Sequence, residues 1–82
     1  MVKEITYAPK FSKQFKKLDK TYSTRVKKLI EKIIENPHIG KPMMYERKET
    51  REVYLPPFRL SYAYDESIEH LYFLDIYPKD EQ

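Results

Sequence analysis

Two apolar stripes at helical spacing stand side by side in the first half of the chain, and a helix cannot bury its own stripe. The first is Phe11, Phe15 and Leu18, following Pro9, a residue suited to the first turn of a helix because its missing N–H costs nothing there. It predicts a helix of about three turns. The second is Tyr22, Val26, Leu29, Ile30, Ile33 and Ile34, closed by Asn36-Pro37, since proline disfavours helical geometry in the residue before it. Asp19-Lys20-Thr21 separates the two, and Thr21 or Ser23 is a competent N-cap for the second helix. The short join predicts an antiparallel helical hairpin that needs a further apolar surface to pack on.

That surface is predicted in the second half. Arg51–Leu55, Phe58–Tyr64 and His70–Tyr77 are short runs rich in Tyr, Phe, Val, Ile and Leu, divided by Pro56-Pro57 and by the polar turn Asp65–Glu69. A further strand is expected at Val2–Tyr7. Alternation puts Val53 and Leu55 on one face and Glu52 and Tyr54 on the other; likewise Leu60, Tyr62 and Tyr64 oppose Arg59, Ser61 and Ala63. The Leu60 set is predicted to lie under the helices, leaving Arg59 on the uncovered face with small neighbours. His70–Tyr77 is apolar on both faces, as a central strand would be. The expected fold is therefore α+β with order βααβββ: a helical hairpin packed on one face of a small, mainly antiparallel four-stranded sheet. Residues 37–50 are predicted to form a long loop, from which Lys41, Arg47 and Lys48 can reach a neighbouring groove.

Composition narrows the partners. Residues 1–41 carry 11 Lys/Arg and 4 Asp/Glu, a net of +7, whereas residues 42–82 carry 5 and 9, a net of −4. A concentrated basic surface suits RNA or an acidic protein. Cysteine is absent, so no disulfide or thiolate metal site is expected, and stability must come from packing. No apolar run approaches the ~20 residues of a membrane span, and MVKEITYAPK lacks the apolar centre of a signal peptide. The chain is expected to be cytoplasmic and soluble, with residues 1–82 as one domain, and the reading assigns it no cofactor and no metal.

The element order, the basic helical half, Arg51 at the start of one strand, the motif P-F-R-L-S-Y (57–62) and the ending L-D-I-Y-P-K-D-E-Q (74–82) together resemble the RelE/ParE superfamily of toxin–antitoxin toxins. The resemblance covers nearly the whole chain and implies a RelE-like mRNA interferase, acting on mRNA at the translating ribosome and silenced by a cognate antitoxin. Cleavage in such enzymes proceeds by attack of a ribose 2′-OH on the adjacent phosphate, without a metal. It requires a proton acceptor, a group that balances phosphate charge and a proton donor for the leaving oxygen. The resemblance implies Arg59 for the phosphate, Lys79 for the leaving group, and Arg51 in a role as much structural as catalytic. It implies no proton acceptor, because Glu52 and Tyr54 stand where RelE keeps a pair of lysines; Glu52, Lys41 and Lys48 are the candidates. Tyr54 and Tyr77, with Lys41, Arg47 and Lys48, are candidate RNA contacts, the tyrosines by stacking on bases. Plainer accounts exist for each: tyrosines packed with a wet hydroxyl, or Arg51 paired with Glu49 or Glu52 at the surface. The alternative functions are a non-nucleolytic ParE-like toxin that inhibits a DNA topoisomerase, and an inactive RNA-binding member.

Overall fold

The computed structural model describes residues 1–42 and 50–79. Arg47 and Lys48 lie outside the described residues. The elements run β1 (Glu4–Tyr7), α1 (Pro9–Lys16), α2 (Lys20–Glu35), β2 (Lys41–Pro42), β3 (Thr50–Leu55), β4 (Phe58–Asp65) and β5 (His70–Pro78). The sheet order is β1-β5-β4-β3-β2, with β1 parallel to β5 and the remaining pairs antiparallel. The α+β class is as expected, and the predicted elements occur in the predicted sequence, with one further strand, β2, between α2 and β3. The sheet has five strands rather than four, because the start of the expected loop, Lys41–Pro42, pairs with Glu52 and Arg51 along the edge of β3.

Helix boundaries follow local chemistry. Helix α1 is eight residues long and stops at Lys16, so Leu18 packs on the core from the join and not from a third turn. Helix α2 begins earlier than expected: Asp19, not Thr21 or Ser23, is the N-cap, and its carboxylate accepts a hydrogen bond from the Tyr22 N–H at 3.0 Å. No helix among the described residues is long and apolar enough to cross a membrane.

The core lies between the helices and one sheet face. Phe11, Val26, Leu29, Ile30 and Ile33 meet Leu60, Tyr62, Leu71, Phe73 and Ile76. On β4 the buried residues alternate as expected, but on β5 the parity changes after Phe73. Tyr62 pairs with Phe73 and Ser61 with Asp75, so Leu74 is an extra residue, a β-bulge. Without it Asp75 and Tyr77 would share the helix-covered face with Leu71 and Phe73. With it Ile76 takes the core side, and Asp75 and Tyr77 turn to the face the helices leave bare. This bulge is why the strand reads as apolar on both sides.

Candidate active site

The bare face gathers side chains from three adjacent strands. The row Tyr54–Arg59–Tyr77 crosses β3, β4 and β5, and beside it runs Lys41–Glu52–Ser61–Asp75, beginning on β2. Directly opposed residues in a sheet point to the same side, which makes these two rows one surface. Arg59 donates from Nη1 to Glu52 Oε1 at 3.0 Å, and the Tyr77 hydroxyl donates to the other oxygen, Glu52 Oε2. Glu52 is the one buried charged residue among the described residues, 7% exposed, and the Arg59 side chain is 31% exposed. An ionised carboxylate is tolerated at such a depth because both oxygens are engaged, one by a cation.

Tyr54 stands at the front of this cluster. Its ring is 51% exposed, with the Arg59 guanidinium 6.0 Å from its centroid and Lys79 Nζ 5.3 Å away. Lys79 is past the end of β5, yet its N–H donates to Pro57 O at 2.9 Å, which prolongs the β4–β5 pairing by one step and fixes where its side chain begins. The structure thus brings together Glu52, Tyr54, Arg59, Tyr77 and Lys79, with Lys41 on the adjoining edge.

Two expectations need correction. Arg51 is not part of this surface. It pairs with Tyr62 and shares the parity of Val53 and Leu55, so it points to the other side of the sheet. There its guanidinium donates to His38 O at 3.2 Å and Gly40 O at 2.8 Å, tying down the turn that leads into β2. Arg59 does not rise free among small neighbours either. Ser61 and Ala63 are small, but its cross-strand neighbours are Tyr54 and Tyr77, and its charge is already met by Glu52. The commitment of the Tyr77 hydroxyl to Glu52 gives that residue a fixing role, leaving Tyr54 as the ring open to a ligand.

Asp75 also belongs to this face, although no pattern in the sequence singles it out. Its side chain is 19% exposed, Oδ2 lies 3.2 Å from Lys10 Nζ of α1, and Oδ1 is buried with no hydrogen-bond partner among the described residues; the same is true of Arg59 Nε. Strand parity alone assigns Asp75 to the core side, so the signal that would have found it is the bulge, which becomes visible only in the pairing of β4 with β5.

A family-model match over nearly the whole chain places it among the toxins of type II toxin–antitoxin systems, in the RelE/ParE superfamily, and the fold agrees with that. Residues 5–82 match the family model for the ParE toxin of the type II toxin-antitoxin system parDE, and the chain belongs to that family. Among solved structures it is similar to the toxin–antitoxin complex RelBE2 of Mycobacterium tuberculosis, with a TM-score of 0.83, 17% identity, and coverage of 96% of this chain and 100% of the other. The isolated RelE toxin of E. coli superposes with a TM-score of 0.80 at 16% identity, covering 96% and 86% of the two chains. YafQ of E. coli BL21(DE3) superposes with a TM-score of 0.73 at 24% identity, covering 94% and 93%. At these identities the likeness is one of fold. A comparison with curated protein sequences finds no match.

Proposed function

We propose that this toxin is a metal-independent endoribonuclease that cleaves mRNA, in the cytoplasm and on translating ribosomes, and that a cognate antitoxin silences it by covering the bare sheet face. The observation that carries the reading is Arg59, held on an open face by a buried carboxylate and flanked by a second cation across an exposed tyrosine ring. An arginine fork suits two oxygens of a phosphate, and Tyr54 offers a ring for the neighbouring base. In this reading the phosphate takes over part of the Arg59 fork from Glu52, while Glu52 and Tyr77 keep the arginine aimed. Lys79 protonates the departing 5′-oxygen. Arg51 acts only through the turn it braces. Solved relatives that include antitoxin-bound complexes support the partner.

A second reading is favoured by the Glu52–Arg59 pair itself. Where RelE keeps lysines this chain puts an anion, and a neutralised arginine suits protein contacts better than phosphate, as in a ParE-like toxin acting on a DNA topoisomerase. Purified protein with ribosomes, mRNA and EDTA separates the two. The ribonuclease reading expects mapped RNA ends, with Arg59→Ala lowering cleavage at least about 100-fold. Intact mRNA accompanied by DNA damage in induced cells selects the second reading.

A further inference from the structure

We propose that Lys41 binds the RNA phosphate immediately upstream of the one cleaved, an assignment that rests on the ribonuclease reading above. The RNA strand then crosses the bare sheet face with a fixed polarity, 5′ to 3′ from the β2 edge to the end of β5.

A charge is left over on this face. Lys41 lies directly across from Glu52 in the β2–β3 pairing, a position where opposite charges ordinarily meet. No ion pair forms there, because Glu52 directs one oxygen to Arg59 and the other to the Tyr77 hydroxyl, both on strands farther from β2. Asp75, in the same row, is held by Lys10. Among the described residues Lys41 and Lys79 are therefore exposed cations without a carboxylate partner. An ion-paired arginine with an unpaired lysine on either side is complementary to a run of linked phosphates.

The three cations are also aligned. Arg59 sits two strands from Lys41 and two residues farther toward the β3–β4 turn. Lys79, whose N–H reaches Pro57 O, continues the same diagonal by one strand and two residues. With strands about 4.8 Å apart and a rise of about 3.3 Å per residue, the Lys41 and Arg59 backbones are roughly 12 Å apart. Both side chains are long, so their charged ends can meet adjacent phosphates of one strand.

Polarity follows from the leaving group. The P–O5′ bond that breaks joins the scissile phosphate to the downstream nucleotide, and Lys79 protonates that oxygen in the ribonuclease reading. The downstream nucleotide therefore lies toward Lys79. In-line displacement sets entering and leaving oxygens on opposite sides of phosphorus, so the nucleotide whose 2′-hydroxyl attacks lies toward Lys41. The phosphate on the 5′ side of that nucleotide is the one that Lys41 meets.

The test uses the full chain with ribosomes and a short mRNA in which the phosphate upstream or downstream of the cleaved one is replaced by an uncharged methylphosphonate. Lys41→Met is expected to raise KM about 5-fold while kcat stays within about twofold, the signature of lost uniform binding. Lys41→Arg should keep the wild-type KM. Lys41→Met should also flatten the slope of log kcat/KM against log salt by about 0.7. The upstream methylphosphonate is expected to raise wild-type KM about 5-fold and to leave that of Lys41→Met unchanged. The downstream one should act equally on both proteins. Equal losses from the upstream methylphosphonate in the two proteins overturn the subsite, and coupling of Lys41 to the downstream phosphate overturns the polarity. A wild-type KM indifferent to the upstream methylphosphonate overturns the assignment without need of a variant. An edge-strand lysine also discourages pairing between molecules; self-association of Lys41→Met with an unchanged KM gives Lys41 that role and overturns the proposal. Each of these results leaves the ribonuclease reading in place. Failure of the wild-type protein to cleave overturns both.

Discussion

Tyr62 has no exposed surface, and its hydroxyl does two jobs: it donates to Pro37 O at 2.7 Å and accepts from the Gly40 N–H at 2.9 Å. Burial pushes this phenol above its ordinary value of 10.0, against the opposing pull of the Gly40 hydrogen bond and the Arg51 charge, so it stays protonated and available as a donor. A Tyr62→Phe substitution leaves two backbone groups unmet and is expected to cost about 1–3 kcal/mol. In a domain of this size each kcal/mol lowers Tm by roughly 4–8 °C, which thermal unfolding followed by circular dichroism measures. Gly40 is required for the same contact. A Cβ there would lie 2.7 Å from the Tyr62 hydroxyl, 2.8 Å from its Cε1 and 3.0 Å from Arg51 Cβ, so Gly40→Ala is expected to destabilise by a comparable about 1–3 kcal/mol. Strand alternation announces Tyr62 as a core residue. Its partners are another matter, since Pro37 and Gly40 are more than twenty positions away in the chain and meet it only when the turn after α2 crosses the end of β4.

Among the elements, α2 shows how far local rules reach. Its apolar stripe, Val26, Leu29, Ile30 and Ile33, is buried as its spacing requires, and it ends where Asn36-Pro37 predicts. Its start lies two or four residues before the cap that Thr21 or Ser23 predicts, because Asp19, Thr21 and Ser23 are all capping types and local sequence does not choose among them. Asp19 is chosen because its extended backbone (φ −72°, ψ 173°) lets the carboxylate reach the Tyr22 N–H, while the Ser23 hydroxyl donates to Lys20 O inside the helix. Asp19→Ala is therefore expected to destabilise the protein by about 1 kcal/mol, with Ser23→Ala near neutral; urea unfolding midpoints distinguish them. Strand β5 shows where such rules stop. The alternation of Leu71 and Phe73 is interrupted by one inserted residue, and no local signal marks Leu74 as that residue.

At the scale of the whole molecule, the N-terminal end of the chain closes on the β4–β5 turn. The N-terminal ammonium lies 2.8 Å from Glu69 and Lys3 Nζ 3.3 Å from it, and the hydrogen bonds from these groups hold the Glu69 carboxyl below its ordinary 4.5. A depressed carboxyl adds stability that is present above its unfolded value and is lost as pH falls through its folded value. Asp65, lowered chiefly by the Ser67 hydroxyl, has the same sign. Stability is thus expected to decline on acidification below pH 4.5, and Glu69→Gln should show a shallower decline in an acid titration of Tm. Raised ionic strength weakens the same exposed pairs.

What the sequence by itself determined is whatever repeats within a few residues: the two helical stripes, the strand runs, the side of the sheet that receives Leu60 and Tyr62, and so the placement of Arg59 on the opposite side. Even the placement of Arg51 away from Arg59 follows from its parity with Val53 and Leu55. Tertiary structure alone decided which charges meet. Glu52, Arg59 and Tyr77 come from three strands, and Lys10 reaches Asp75 from a helix. Those meetings depend on register between distant segments, and one bulged residue moves Asp75 and Tyr77 from the core side to the face that carries the proposed chemistry.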